Sequence, residues 1–232
     1  MSTSQQRSTH RDGETRLPAA VAVLVAIALY GLLPDSLVVG PRIVIPALEV
    51  VLLVILVAAN PTRMTRQNTA LRIVSVALIL LIGLTNTYAL GQLVHGLLSG
   101  QTKDGKALLL AGFQVWTTNL IVFALAYWEL DRGGPVTRTT APRKAFGHAD
   151  FRFSQDENDD AVSEVAAGSS VKSGWVPGFI DYLYVSCTNS TAFSPTDTMP
   201  LTPRAKLLMT AQAISSLLVS LLIVARAVGQ LQ

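Results

Sequence analysis

The chain is short of charge. Only 14% of its 232 residues are Asp, Glu, Lys or Arg, against about 25% in an ordinary soluble domain. That shortage excludes a conventional solvated surface. Aromatic residues are scarce too, at 6%, so the hydrophobic half of the composition is aliphatic, the Leu, Val, Ile and Ala of membrane helices. Cys187 is the only cysteine, which excludes an internal disulfide and a cysteine-built zinc site. His10, His95 and His148 are too scattered for a histidine metal site. Neither phosphate-loop glycine motif occurs, nor H-E-x-x-H, and Ser186 and Ser190 lack a nucleophile-elbow setting. No catalytic residue, cofactor or metal is expected, and the chain is not expected to be an enzyme.

What is abundant is long apolar sequence, with a mean hydropathy of +0.43. A bilayer core of about 30 Å needs roughly 20 apolar residues in a helix. Residues 17–33 form the first run, after a polar tail (1–16) carrying Arg7, Arg11 and Arg16, and it stops at Pro34-Asp35. The tail and run resemble a signal peptide, but no clear small-x-small cleavage site follows and further runs do. The others cover about 43–59, 71–98, 107–130 and 205–231. Residues 17–130 thus read as a four-helix transmembrane region. Between them and the last run, residues 175–200 start apolar (WVPGFIDYLYVSC) and turn polar (TNSTAFSPTDTMP). So short an apolar stretch suits a re-entrant half-helix better than a crossing. The expected fold class is all-α, an integral membrane bundle of five spans plus one re-entrant segment. Six full spans is the alternative.

Residues 131–174 differ in character. Of the chain's 33 charged residues, 13 lie there, six basic and seven acidic, without apolar periodicity. Such a composition predicts a disordered loop, available to a cytoplasmic partner and removable over 139–169 without loss of folding. Basic residues fix orientation. With the N-terminus cytoplasmic, the inside holds Arg7, Arg11, Arg16, Arg63, Arg66, Arg72 and the six of the loop, whereas the outside short loops hold Arg42, Lys103 and Lys106. The expected location is the plasma membrane. The pI near 9.2 then reflects topogenic arginines, and no nucleic-acid partner is expected.

Polar residues inside the spans are the candidate functional groups. Glu49 sits in the second run, about 9 Å from its start, and an intramembrane ionisable residue is a functional candidate. Asn86 in the third run, with Gln114 and Asn119 in the fourth, can bond between helices as bundle glue or line a hydrated path.

The segment D-Y-L-Y-V-S-C-T-N-S-T-A-F-S-P-T-D-T-M-P (181–200), followed by the final run, resembles the pore module of two-helix bacterial potassium channels. Thr191 to Asp197 fall on that family's T-T-V-G-Y-G-D filter, and Pro200 on its following proline. The resemblance implies a homo-oligomer, a tetramer in that family, with an ion path at its centre. The decisive residues depart from the pattern: Ser194 and Thr196 replace the glycines and Pro195 the tyrosine. Proline fixes φ and has no amide hydrogen, so stacked carbonyls and potassium selectivity are not expected. Thr188, Ser190, Thr191, Ser194, Thr196 and Asp197 remain as a polar edge that can coordinate a hydrated cation or cap helices. That family's loop faces outside, whereas the arginines put this one inside. Either the module is inverted, or the N-terminus is outside, or the segment at Trp175 crosses fully. W-E-L-D-R-G-G-P (128–135) and T-A-F-S-P-T-D-T-M-P (191–200) also resemble actinobacterial-type multi-pass membrane proteins of uncharacterised activity. A channel-like protein, a non-conducting membrane scaffold and, less favoured, a small transporter using Glu49 are the functional expectations.

Overall fold

The computed structural model describes residues 13–66, 68–99, 105–192 and 197–229. It is all-α apart from two minimal strand pairs. Helices α1 (Leu17–Gly31), α2 (Val44–Ala59), α3 (Thr69–Leu98) and α4 (Gly105–Leu130) come first. Two short helices, α5 (Pro135–Thr140) and α6 (Ser163–Ala166), precede α7 (Phe179–Thr191) and α8 (Pro203–Gly229). Strand β1 (Glu14–Thr15) pairs antiparallel with β2 (Arg63–Met64), and β3 (Phe151–Arg152) with β4 (Met199–Pro200).

Local chemistry sets the helix ends. Pro18 sits in the first turn of α1, where its missing N–H costs nothing. Asn60 ends α2: its Oδ1 accepts from the Thr65 and Arg66 amides at 3.1 and 2.9 Å, and its amide donates to the Arg66 carbonyl. Asn68 caps α3, its Oδ1 accepting from the Leu71 amide at 2.8 Å. After α4 the chain reverses through Arg132, Gly133 and Gly134 at φ of 53°, 85° and 95°. Glycine tolerates this region; Arg132 does not adopt it readily and is held there by its side-chain bonds to the cap. The D-R-G-G-P motif is therefore a turn.

Helix α4 is the hub, packing against α1, α3, α7 and α8. Its apolar window is 61% buried, against 28% for α3 and 22% for α8. The outer faces of the other helices stay apolar, with Leu24, Val54, Leu84, Leu207 and Ile214 all exposed. Among the described residues, three helices (α3, α4 extended to Gly133, and α8 over Pro203–Arg226) are long and apolar enough to cross a membrane, while α1 and α2 are apolar but shorter, at 15 and 16 residues.

The pairings β1–β2 and β3–β4 gather the start of α1, the end of α2, the starts of α3, α7 and α8 and the end of α4 at one end of the bundle. Most basic residues lie there, from Arg16 and Arg63 to Arg204. Residues 131–174 form a cap on this end, which corrects the expectation of a disordered loop. Phe151, Phe153 and Ala166 are buried. Phe151 packs edge-on to Tyr127 at 5.1 Å between ring centres, and Phe153 to Tyr182 at 5.5 Å and to Trp175 at 5.6 Å. A few aromatic anchors, spaced among polar residues, do what an apolar run does elsewhere. Excising 139–169 would remove these anchors, so that deletion is not a neutral one.

Candidate functional site

Three polar constellations lie inside the bundle. The largest joins α4, α7 and α8 around Gln212, which is fully buried. Its Nε2 donates to the Ser186 carbonyl, Ser186 Oγ and Ser190 Oγ at 3.0, 2.6 and 2.8 Å. Its Oε1 accepts from Tyr127 Oη at 2.5 Å and Asn189 Nδ2 at 2.9 Å. Asn119 donates to Ser215 Oγ and Ser216 Oγ, Ser216 donates to Ser190 Oγ at 3.1 Å, and Ser186 donates to the Leu120 carbonyl at 2.7 Å. Each group has a partner, the condition for burying polar atoms without penalty.

The second constellation fastens the cap. Arg138 is fully buried beneath α4 and α7. It donates to the Trp128, Asp131 and Pro177 carbonyls at 2.7, 3.2 and 3.0 Å and lies over the Tyr182 ring at 4.9 Å. Glu14 stands 3.5 Å from it and accepts from the Phe179 amide at 2.5 Å and from Trp128 Nε1 at 3.1 Å. Burial pushes the Glu14 carboxyl above its usual value, opposed by Arg138 and the two N–H donors. Asp131 accepts from Tyr182 Oη at 2.5 Å and from the Asp150 amide at 2.7 Å. Asp150 in turn pairs with Arg204 at 2.5 Å and accepts from Thr202 Oγ1, tying the cap to α8. Arg132 pairs with Asp156 at 2.6 Å, and Ser170 donates to the same carboxylate.

The third is a single residue. Glu49, the sixth residue of α2, is 1% exposed, and both its carboxylate oxygens are buried with no hydrogen-bond partner among the described residues.

The filter-like residues are dispersed. Ser190 is buried inside the single chain by Gln212 and Ser216. Thr188 and Thr191 hydroxyls donate back to carbonyls of their own helix, Tyr184 and Cys187, at 3.0 and 2.9 Å. Asp197 is exposed, and Ser194 and Thr196 lie outside the described residues. Asp181, an acidic residue within an apolar stretch, caps α7 by accepting from the Gly178 amide at 2.7 Å. Among the intramembrane candidates, Asn119 joins the Gln212 network, Asn86 is buried in α3, and Gln114 is buried in α4, its Oε1 without a partner among the described residues. Asn119 and Ser190 are thus brought together, whereas Glu49 stands apart on α2.

Gln212, Tyr127, Ser186 and Ser216 were absent from the candidates drawn from sequence. The signal existed: Gln212, Ser215 and Ser216 fall at i, i+3 and i+4 within an otherwise apolar helix, one polar stripe on one face. Glu14 and Arg138 gave no such signal, because their pairing spans more than a hundred positions. Among the described residues no three His, Cys, Asp or Glu side chains gather where they could hold a metal. Compared with protein-family models, curated proteins and solved structures, the chain matches none.

Proposed function

We propose that the protein is a non-conducting membrane scaffold whose cap faces the cytoplasm and presents its acidic surface to a partner. The Gln212 network carries this reading. A conducting pore module needs its polar groups turned toward an axis shared between subunits, and here the hydroxyls of α7 are consumed within one chain. In this reading α1, α2, α3, α4 and α8 cross the bilayer. Helices α1 and α2, about 22–24 Å long, fit with local thinning of the bilayer. Helix α7 enters from the cap side as a half-helix, and the chain returns to that side at Met199–Pro200. The arginines gathered at the cap end support a cytoplasmic cap and N-terminus. Asp159, Asp160 and Glu164, exposed beside Val162 and Val165, form the presented surface.

Flux of K+, Na+ and Ca2+ from vesicles holding the purified protein tests the first part, with no flux above empty vesicles expected. A cation current that changes on Ser190→Ala would overturn it. A single cysteine placed at Asp160 in a Cys187→Ala background should react with an impermeant maleimide only after permeabilisation. Labelling in intact cells would invert the topology.

A second reading keeps the channel resemblance, favoured by the entry and return of the α7 segment at the same end. It requires the homo-oligomer, a tetramer by the resemblance, to open an axis lined by Thr188 and Thr191. A monomer in bilayers refutes it.

A further inference from the structure

A cleft between α1, α2, α3 and α4 opens at the cap end, and nothing in the two functional readings uses it. Its deeper part is walled by Ala19, Ala20, Val23, Leu53, Leu78 and Leu125. Its mouth is lined by Arg16, Arg66 and Arg72 with Ser75 and Glu129. Arg16, Leu56, Ser75 and Trp128 border both parts, so the two form one passage from a basic rim to an apolar floor.

The rim is unevenly matched in charge. Glu129 is the acid that faces the three guanidinium groups, and it is already engaged: it accepts from Ser75 Oγ at 2.8 Å and stands 3.9 Å from Arg72. Arg66 is exposed. Arg16 Nη1 is buried and finds no acceptor among the described residues. A buried guanidinium N–H without an acceptor is costly, and Arg keeps its charge under any ordinary condition. The Trp128 indole N–H is turned away to Glu14, leaving the ring as apolar wall.

We propose that this cleft binds a phospholipid with an anionic headgroup, the phosphate held by Arg16 with Arg66 and Arg72, and an acyl chain lying along the floor toward Val23 and Leu53. The inference rests on the membrane reading above, which sets the rim at the cytoplasmic leaflet, where headgroup and chain are presented in that order. Planar guanidinium groups suit a phosphate, and basic pockets between membrane helices on this side favour anionic lipids. A soluble phosphate would satisfy the rim and leave the floor empty, so the apolar half of the cleft selects the lipid.

The test uses the full-length protein in neutral detergent, titrated with phosphatidylglycerol or phosphatidylcholine of identical chains and read by native mass spectrometry and thermal unfolding. Inorganic phosphate is the headgroup-only arm. Phosphatidylglycerol should be retained roughly tenfold or more over phosphatidylcholine, as expected for two net positive charges near the headgroup, and phosphate alone should not raise the unfolding temperature. Arg16→Gln should bring the two lipids near parity, and Ala20→Phe, which fills the floor, should lower retention of both. Arg66→Gln, at an exposed side chain, should reduce the preference without touching the fold, which guards against an Arg16 variant that fails to fold. Equal retention of both lipids, a preference unchanged in Arg66→Gln and Arg16→Gln, or protection by phosphate equal to that of the lipid would each overturn the proposal. Failure of the membrane reading looks different: the protein would then remain monodisperse without detergent and leave vesicles unoccupied.

Discussion

Glu14 and Glu49 are carboxylates largely withdrawn from solvent, yet their surroundings have little in common. Glu14, where the cap meets the bundle, has a guanidinium at 3.5 Å and two N–H donors. Glu49, near the other end, has neither oxygen partnered among the described residues. Where the cap meets α4 and α7, buried charges are answered by other groups: Arg138 by carbonyls and Glu14, Asp131 by Tyr182, Asp150 by Arg204. Such mutual satisfaction makes a junction specific, because removing one member strands the rest. The Glu49 region works by apolar packing, and its one acid gains nothing there from hydrogen bonding. An intramembrane carboxylate under those terms is a candidate for function rather than for fold stability.

The largest effect should come from breaking the answered end. Arg138→Met removes the counter-charge of Glu14 and the donors that reach three carbonyls. We expect a loss of about 3–5 kcal/mol, read as a lower unfolding temperature in detergent together with proteolysis within 131–174. An unchanged cap in this variant would remove the basis of the comparison. Next, Gln212→Leu leaves Tyr127, Asn189 and Ser190 short of their shared partner inside the bundle. A cost of about 2–3 kcal/mol is expected, with α7 loosened more than α3. Hydrogen exchange resolved by segment would reveal the order, and equal loosening of both helices would mean that the network does not hold α7 specifically.

Glu49→Leu carries the opposite sign. Removing an unanswered carboxylate should stabilise the protein by about 1–2 kcal/mol, and Glu49→Gln by less, since the amide still lacks partners. If Glu49→Leu instead lowers the unfolding temperature, the carboxylate is answered by a group outside the described residues, and the contrast between the ends disappears. A gain in stability with loss of a pH-dependent uptake would assign Glu49 to the transporter reading.

These two ends also differ in how far the sequence disclosed them. The long helices were legible because a hydrophobic run is local: the runs at 71–98 and 107–130 match α3 and α4 to within two residues. Helix α7 is short, at 13 residues, as the short apolar stretch in its sequence leads one to expect. Glu49 was visible as an acid inside such a run. The cap was not, because Phe151 and Phe153 form no run; they count only once Tyr127 and Tyr182, from distant helices, stand beside them. Composition registered the seven acids and six bases of 131–173 and missed that several are mutually paired. The arrangement of Arg138 with Glu14 depends on the fold itself. Asn119 stands out in the sequence of its run, whereas its network partners Gln212 and Ser216 lie in a run whose overall apolar character hides them.

The smallest expected effect is a pH dependence confined to the cap, and it has two opposite limbs. Burial alone would raise the Asp156 carboxyl, but the Ser170 hydroxyl, Arg132 and the Phe153 amide outweigh it and hold the group below its ordinary 3.8. A lowered folded-state value means that the unfolded chain takes up the proton first. The stability Asp156 contributes is therefore complete above 3.8 and fades as pH falls through the lower folded value. Glu14 runs the other way. Its folded-state value lies above the ordinary 4.5, so the folded chain holds the proton longer, and its contribution declines as pH rises from 4.5 to that raised value. Cap stability should thus peak between the two and slope gently on either side. Asp156→Asn should flatten the acid limb, and Glu14→Gln should make the other shallower without abolishing it, because burial also raises the neighbouring Asp181 carboxyl; both are read from unfolding temperature between about pH 3 and pH 7. A Glu14→Gln protein that keeps the upper slope in full would mean that the proton resides elsewhere in the junction, and that the two glutamates are less unlike than their hydrogen bonds make them.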